Sequence, residues 1–277
     1  MRQARKDAVL ERAHARARRR GVLVPLYAPV RLLLVPVLRL WFRLRVSGRE
    51  DVPADGPAII APNHKSFMDA FFVGVATRRR VRYMAKTEIF RGPLAWLLVR
   101  LGAFPVRRGE ADAEAMRTAQ AILEQGGVVV IFPEGTRVED PDALGAPHHG
   151  AGRLALDTGA PIVPAAISGT AHLWFGPIAK PRRVQVAFLP PIAVPVAATP
   201  EAVSEIVDRE LWPAVQEEYG RLRARPGLVL AGLAAIGLGG GLVARRRAAA
   251  PPRILGVVPP RRLRRRRRRL PDRLRRR

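Results

Sequence analysis

Three short apolar runs constrain this chain more than any other feature. Pro57–Pro62 reads PAIIAP, Val128–Phe132 reads VVVIF, and Ile162–Ile167 reads IVPAAI. Each is too short for a stable helix and carries no polar residue, as a strand covered on both faces requires. Val184–Leu189 is a further buried strand, and Val81–Ala85 and Ala103–Val106 also read as strands. Helical stretches alternate with them, at Phe67–Ala76 and Leu94–Leu101. Glu110–Gln125 is the clearest: its first turn is acidic, Met116, Ala119 and Leu123 share a face, and Gly126 stands where a helix terminates. Thr199–Pro200 opens a last helix, with Val203, Val207, Leu211 and Val215 on one face and a kink expected at Pro213. Strand–helix alternation at this spacing predicts one α/β domain over residues 47–225, a mostly buried β-sheet flanked by helices. With 277 residues and 48% hydrophobic content, the chain can build that core without staples. It has no cysteine, which excludes a disulfide framework, a thiolate zinc site and a cysteine nucleophile.

The charge is extreme and unevenly placed. The net value is +26, of which +6 falls in residues 1–20 and +15 in residues 245–277. Arginine neutralises nucleic-acid phosphates and also binds anionic membrane surfaces, and the neighbouring residues discriminate between the two. The Arg-rich tail contains no aromatic residue to stack on a base, and each basic end adjoins an apolar stretch. Anionic membrane lipids are therefore the expected partner, and nucleic acid is disfavoured.

Residues 1–46 read as a basic and apolar, membrane-associated helical segment. Val22–Val46 is dense in Leu and Val but carries Arg31, Arg39, Arg43 and Arg45, and Pro25, Pro29 and Pro36 are expected to break any single helix. An interfacial element with snorkelling arginines fits better than a span. Residues 226–244 form a glycine-rich apolar segment, uncharged from Gly227 to Ala244, for which a short span, a re-entrant element and a linker all stay open. Residues 245–277 read as a disordered Arg-rich tail.

Three constellations carry chemistry. Asn63-His64-Lys65-Ser66-Phe67-Met68-Asp69 sets a histidine and an aspartate five apart, just after a buried strand. They meet only if His64 lies in the turn and Asp69 in the first helical turn, where the carboxylate would orient the ring as a general base. A helix cap beside a structural histidine is the plainer alternative. Phe132-Pro133-Glu134-Gly135-Thr136-Arg137 leaves the end of VVVIF, where α/β folds bind ligands. Gly135 permits close backbone approach, Thr136 offers a hydroxyl, and Arg137 offers a fork for phosphate. A turn with a surface ion pair would use the same residues. The third is Gly102–Gly109, a strand ending in Arg107 and Arg108, for which solvated charge is the alternative.

Taken together and in order, His64/Asp69, Gly102–Arg108, Phe132–Arg137 and the apolar Pro161–Pro164 resemble the glycerolipid acyltransferase family, specifically the 1-acyl-sn-glycerol-3-phosphate acyltransferases. The resemblance covers residues 45–190 and extends to Lys86 and Gly150; His148-His149 departs from it, where the family more often has lysine. It implies transfer of a fatty acyl group from acyl-CoA or acyl-carrier protein to the free hydroxyl of lysophosphatidic acid. His64 would be the general base and Asp69 its orienter. Arg137 and Arg108, with Lys86, would hold the acceptor phosphate, Gly135 and Thr136 would shape that subsite, and Glu134 would organise the loop. No metal ion or organic cofactor is implied, since the thioester is a co-substrate. With no cysteine and no Gly-x-Ser-x-Gly elbow, direct attack is expected rather than an acyl-enzyme. The rival expectations are a same-fold O- or N-acyltransferase acting on another lysophospholipid or an acylated amine, and a non-catalytic membrane- or nucleic-acid-binding protein. The expected location is the cytoplasmic face of the plasma membrane.

Overall fold

A computed structural model of the chain describes residues 2–107, 112–175, 178–195 and 199–224. Arg108, the 226–244 segment and the 245–277 tail lie outside the described residues. Two helices, α1 (Arg2–Arg19) and α2 (Val24–Trp41), precede a short edge strand, β1 (Arg45–Ser47). The alternating core follows as β2 (Ala58–Pro62), α3 (Asp69–Ala76), β3 (Val81–Lys86), α4 (Gly92–Arg100), β4 (Ala103–Val106), α5 (Ala113–Glu124), β5 (Val128–Val130), α6 (Gly150–Thr158) and β6 (Ile162–Ser168). A small hairpin, β7 (Trp174–Phe175) with β8 (Ile178–Ala179), comes before β9 (Gln185–Phe188) and α7 (Pro200–Ile206).

The main sheet runs β1-β9-β6-β2-β5-β3-β4. Its centre is parallel, with β2 between β5 and β6, and β9 joins β6 antiparallel. Every residue of β2, β5 and β6 is buried, which accounts for the unbroken apolar runs. Alternate side chains serve two cores. Ile59, Val129 and Ile162 pack with Leu123, Leu154 and Val207, while Ile60, Val130 and Val163 pack with Phe72 and Leu38. Thr199 caps α7, accepting from the Ala202 N–H at 3.3 Å. The strain expected at Pro213 is taken up one turn earlier, in a π-helical turn over Val207–Leu211, and helical residues continue over 212–224.

The N-terminal segment corrects one expectation. Pro25, Pro29 and Pro36 do not break α2, which is continuous from Val24 to Trp41 and is long and apolar enough, by length and composition, to cross a membrane. Pro25 lies in the first turn, where its missing N–H costs nothing. Pro29 and Pro36 are both exposed and seven residues apart, so the two lost hydrogen bonds fall on one outward face. The inward face is held by tertiary contacts. Leu38 is buried, and Arg31 donates to the carbonyls of Gly74, Val75 and Thr77, the orphan acceptors at the end of α3. Arg82 does the same for α1, donating to Ala17 and Arg20 at 3.2 Å.

The docking of α1 on α5 carries a pH dependence. His14 is buried with Nδ1 2.9 Å from Thr118 Oγ1, beside an ion pair between Arg18 and Glu114. Burial pulls the His14 pKa below the usual 6.5, against the opposing pull of Glu114 and Asp112. The unfolded chain therefore takes up a proton just below 6.5 that the folded chain refuses, so stability is lost as the pH is lowered through that window. Protection factors of α1 amides, which correct for the intrinsic slowing of exchange in acid, should fall on acidification below 6.5. His14→Gln should flatten that dependence, and an unchanged pH response in the variant would assign it elsewhere.

Candidate active site

The chain leaves the carboxyl end of β2 through residues 63–68. Asn63 anchors this turn. Its buried amide accepts from the Ile167 N–H at 2.7 Å and donates to the Ile167 carbonyl at 3.1 Å, joining β2 to β6 beyond their last paired residues. His64 comes next, and its Nδ1 lies 2.9 Å from Asp69 Oδ2. That oxygen also accepts from the backbone N–H groups of Lys65 and Ser66, each at 2.7 Å. A spacing of five works here because Asp69 is the first residue of α3 while His64 is still in the turn. Capping and ring orientation are thus served by one carboxylate. His64 also stacks on Phe132, with ring centroids 4.0 Å apart. Since a carboxylate only accepts, Nδ1 carries the proton and Nε2 is left with its lone pair.

The second loop follows β5. Glu134 is buried, and its carboxylate accepts from the backbone N–H of His64 and, at 2.8 Å, from that of Gly145. Burial raises its pKa above the usual carboxylate value, while these bonds pull it back. Gly135 has φ +63°, and a Cβ there would come within 3.0 Å of the His148 ring. Thr136 and Arg137 are exposed. A third loop is pinned against the first two. Lys65 is buried, and its ammonium donates to the carbonyls of Asp140, at 2.6 Å, and Ala143, while lying 5.4 Å over the Tyr219 ring. Burial lowers the Lys65 pKa despite the neighbouring Glu134 and Asp140. Tyr219 completes the strap by donating to the Pro141 carbonyl at 2.7 Å.

These loops border a mostly apolar cavity of about 590 Å³ that runs beside α3. His64, Lys86 and Arg137 line it where the strands deliver them, and Tyr27 and Leu34 of α2, Phe71 of α3 and Leu98 of α4 wall the rest. At Gly74 a Cβ would collide with the Tyr83 hydroxyl, so the close packing of these two cavity-lining residues requires a glycine there. The structure therefore brings His64, Asp69 and Glu134 into one hydrogen-bonded group and sets His64, Lys86 and Arg137 on one cavity. Thr136 is at the surface beside them. The motifs that contain Asn63, Lys65 and Phe132 assign them no role, and nothing in the sequence singles out Tyr219; a polar residue directly after a fully buried strand was a usable signal for Asn63.

Residues 43–168 match the family model described as Acyltransferase. The strands and loops that carry His64, Asp69, Lys86, Glu134 and Arg137 lie within that match and have the mixed α/β architecture expected of such a domain. Within that class, the chain is similar to the 1-acyl-sn-glycerol-3-phosphate acyltransferase of Bacillus subtilis, 34% identical over 135 residues that make up 48% of this chain and 66% of that protein. It is also similar to the chloroplastic 1-acyl-sn-glycerol-3-phosphate acyltransferase of Arabidopsis thaliana, 30% identical over 137 residues, 48% of this chain and 38% of that one. The chain thus spans between 38% and 66% of the length of these relatives. Among solved structures, the 1-acyl-sn-glycerophosphate acyltransferase PlsC of Thermotoga maritima shares the fold, with a TM-score of 0.57 and 23% identity over 81% of this chain and 98% of that one.

Proposed function

We propose that the chain acylates the free hydroxyl of 1-acyl-sn-glycerol-3-phosphate, taking the acyl group from acyl-CoA or acyl-carrier protein. The observation that carries this reading is the placement of an Asp-oriented histidine on an apolar cavity that also presents Lys86 and Arg137. The cavity suits a fatty chain, and the two cations suit a phosphate. In the reaction, His64 Nε2 takes the acceptor hydroxyl proton as that oxygen attacks the thioester carbonyl. Asp69 stabilises the imidazolium. Collapse of the tetrahedral adduct breaks the C–S bond, and the departing thiolate takes the proton from His64, leaving an ester and a free thiol. Glu134 holds the His64 backbone and Gly145 in place and takes no proton. Arg108 is assigned with Arg137 and Lys86 to the acceptor phosphate, and Gly135 and Thr136 to the loop that frames it. No metal ion or organic cofactor enters these steps.

The proposed place of action is the cytoplasmic face of the plasma membrane. The basic ends of the chain and the exposed Leu32, Leu33, Val37 and Leu40 of α2 support contact with anionic lipid.

The test is an acyl-transfer assay in membranes or mixed micelles, across lysophospholipids of different headgroup and with both thioester donors. Lysophosphatidic acid should be the preferred acceptor. Arg137→Ala should raise the acceptor KM at least about tenfold while changing the donor KM little, and Arg137→Lys should rescue only in part. An effect confined to the donor KM would move Arg137 to the donor phosphates. Preference for a different headgroup would favour the same-fold alternative.

A further inference from the structure

Arg49 is not provided for by its own surroundings. It opens the turn Arg49–Asp51 between β1 and β2, and its Nε is buried without a hydrogen-bond partner among the described residues. Three more arginines, Arg31, Arg39 and Arg78, act on it, and the hydrogen bonds nearby tie together the segments that carry Arg31 and Arg78. Arg31 of α2 donates to the Thr77 carbonyl at 2.5 Å. Two residues on, Arg79 donates to the Pro53 and Gly56 carbonyls at 3.1 and 2.6 Å. Residues 77–79 are thereby tied to α2 on one side and to the 49–56 loop on the other, with exposed Arg78 between them. Leu38 of α2 belongs to the same buried cluster as Val52 and Ala76, and the exposed Arg39 follows it directly in the chain. The charges that act on Arg49 are those of Arg39, Arg78 and Arg31, with no carboxylate among them.

Three guanidinium groups around a half-buried fourth repel each other, and a bound anion relieves both the repulsion and the orphaned donor. Arg31 already spends its donors on α3, so Arg39, Arg49 and Arg78 hold the free ones. Beside them, α2 exposes Leu32 at 75% and Leu40 at 79%. Cations next to an exposed apolar helix face match an amphiphile rather than a simple salt. We infer that Arg31, Arg39, Arg49 and Arg78 form a binding site for the phosphate of an anionic membrane lipid. The site lies at the Thr77 end of α3, whereas Asp69 and His64 lie at the other end; Arg31 also borders the cavity of the candidate active site, but neither Arg49 nor Arg78 lines it.

Thermal unfolding of the full chain in a non-ionic detergent tests this independently of acyl transfer. The probes are dihexanoyl-phosphatidylglycerol, dihexanoyl-phosphatidylcholine and inorganic phosphate. Phosphatidylglycerol at roughly ten times its half-saturating concentration should raise the wild-type Tm by about 3–6 °C. The zwitterionic lipid and free phosphate should each do much less. Arg49→Gln with Arg78→Gln should abolish most of the shift, and Arg78→Gln alone should weaken it. Without lipid, the double variant should unfold at or above the wild-type temperature, because repulsion has been relieved; a merely structural role would lower it. The Arg-rich 245–277 segment is identical in all these proteins, so its own attraction for lipid cancels in the comparison. A full shift retained in the double variant, or an equal response to phosphatidylcholine, would overturn the site. An equal response to inorganic phosphate would make free phosphate the ligand and overturn the lipid assignment.

Discussion

His64→Ala is expected to lower kcat for acyl transfer by about 10²–10⁴-fold without unfolding the protein. The fold should survive because the turn keeps its other supports. Asp69 still accepts from Lys65 and Ser66, Glu134 still accepts from the backbone at position 64, and Asn63 still spans to Ile167. What is lost is the one ring nitrogen that faces the cavity with an oriented lone pair. Asp69→Asn should cost nearly as much, since an amide at that position no longer provides the charge that stabilises the imidazolium or selects the tautomer. Initial rates with lysophosphatidic acid and acyl-CoA, read beside circular dichroism and a thermal melt, provide the measurement. Turnover near wild type in a well-folded His64→Ala protein would remove His64 as the base.

Asn63→Ala is expected to lower stability by about 3 kcal/mol, or about 6–12 °C in Tm. The change removes two hydrogen bonds and leaves the N–H and carbonyl of Ile167, a fully buried residue, without partners. No regular ladder can take over, because the β2–β6 pairing ends at Pro62 and Ala165. Asn63→Asp should recover little: it can accept from the Ile167 N–H but turns a charged oxygen towards the carbonyl. Since position 63 sets the backbone from which His64 projects, kcat should fall along with Tm. A melt of Asn63→Ala within a degree or so of wild type would mean that Ile167 finds other partners and that the clamp is dispensable.

Much of this arrangement is legible in the residue order, and what is not has definite physical causes. β4 occupies the residues expected of it, and β2 and α5 fall within a few, because burial on both faces and the Gly126 stop are local signals. The His64–Asp69 contact was likewise readable, since a turn followed by a helix start is the one local geometry that closes a gap of five. Asn63 and Lys65 sit in the same seven residues, yet their partners are 104 and 75 positions away, so no spacing reveals them. The edge strand β1 escaped for a different reason. It has three residues, two of them exposed, and its existence depends on pairing with β9. In α2 the prolines argued for a break, and the contrary contacts from Leu38 and Arg31 exist only once α3 is in place.

The seating of α2 bears on how such a protein can be trimmed. Tyr27, Val30, Arg31 and Leu34 form one wall of the cavity that ends at His64. A helix that looks like a detachable anchor is therefore part of the cavity proposed to hold the substrate. Cutting the chain before β1 to obtain a detergent-free domain would open that wall and uncap α3 in the same stroke. A soluble version would have to keep α2 and replace its outward leucines, leaving the inward row untouched.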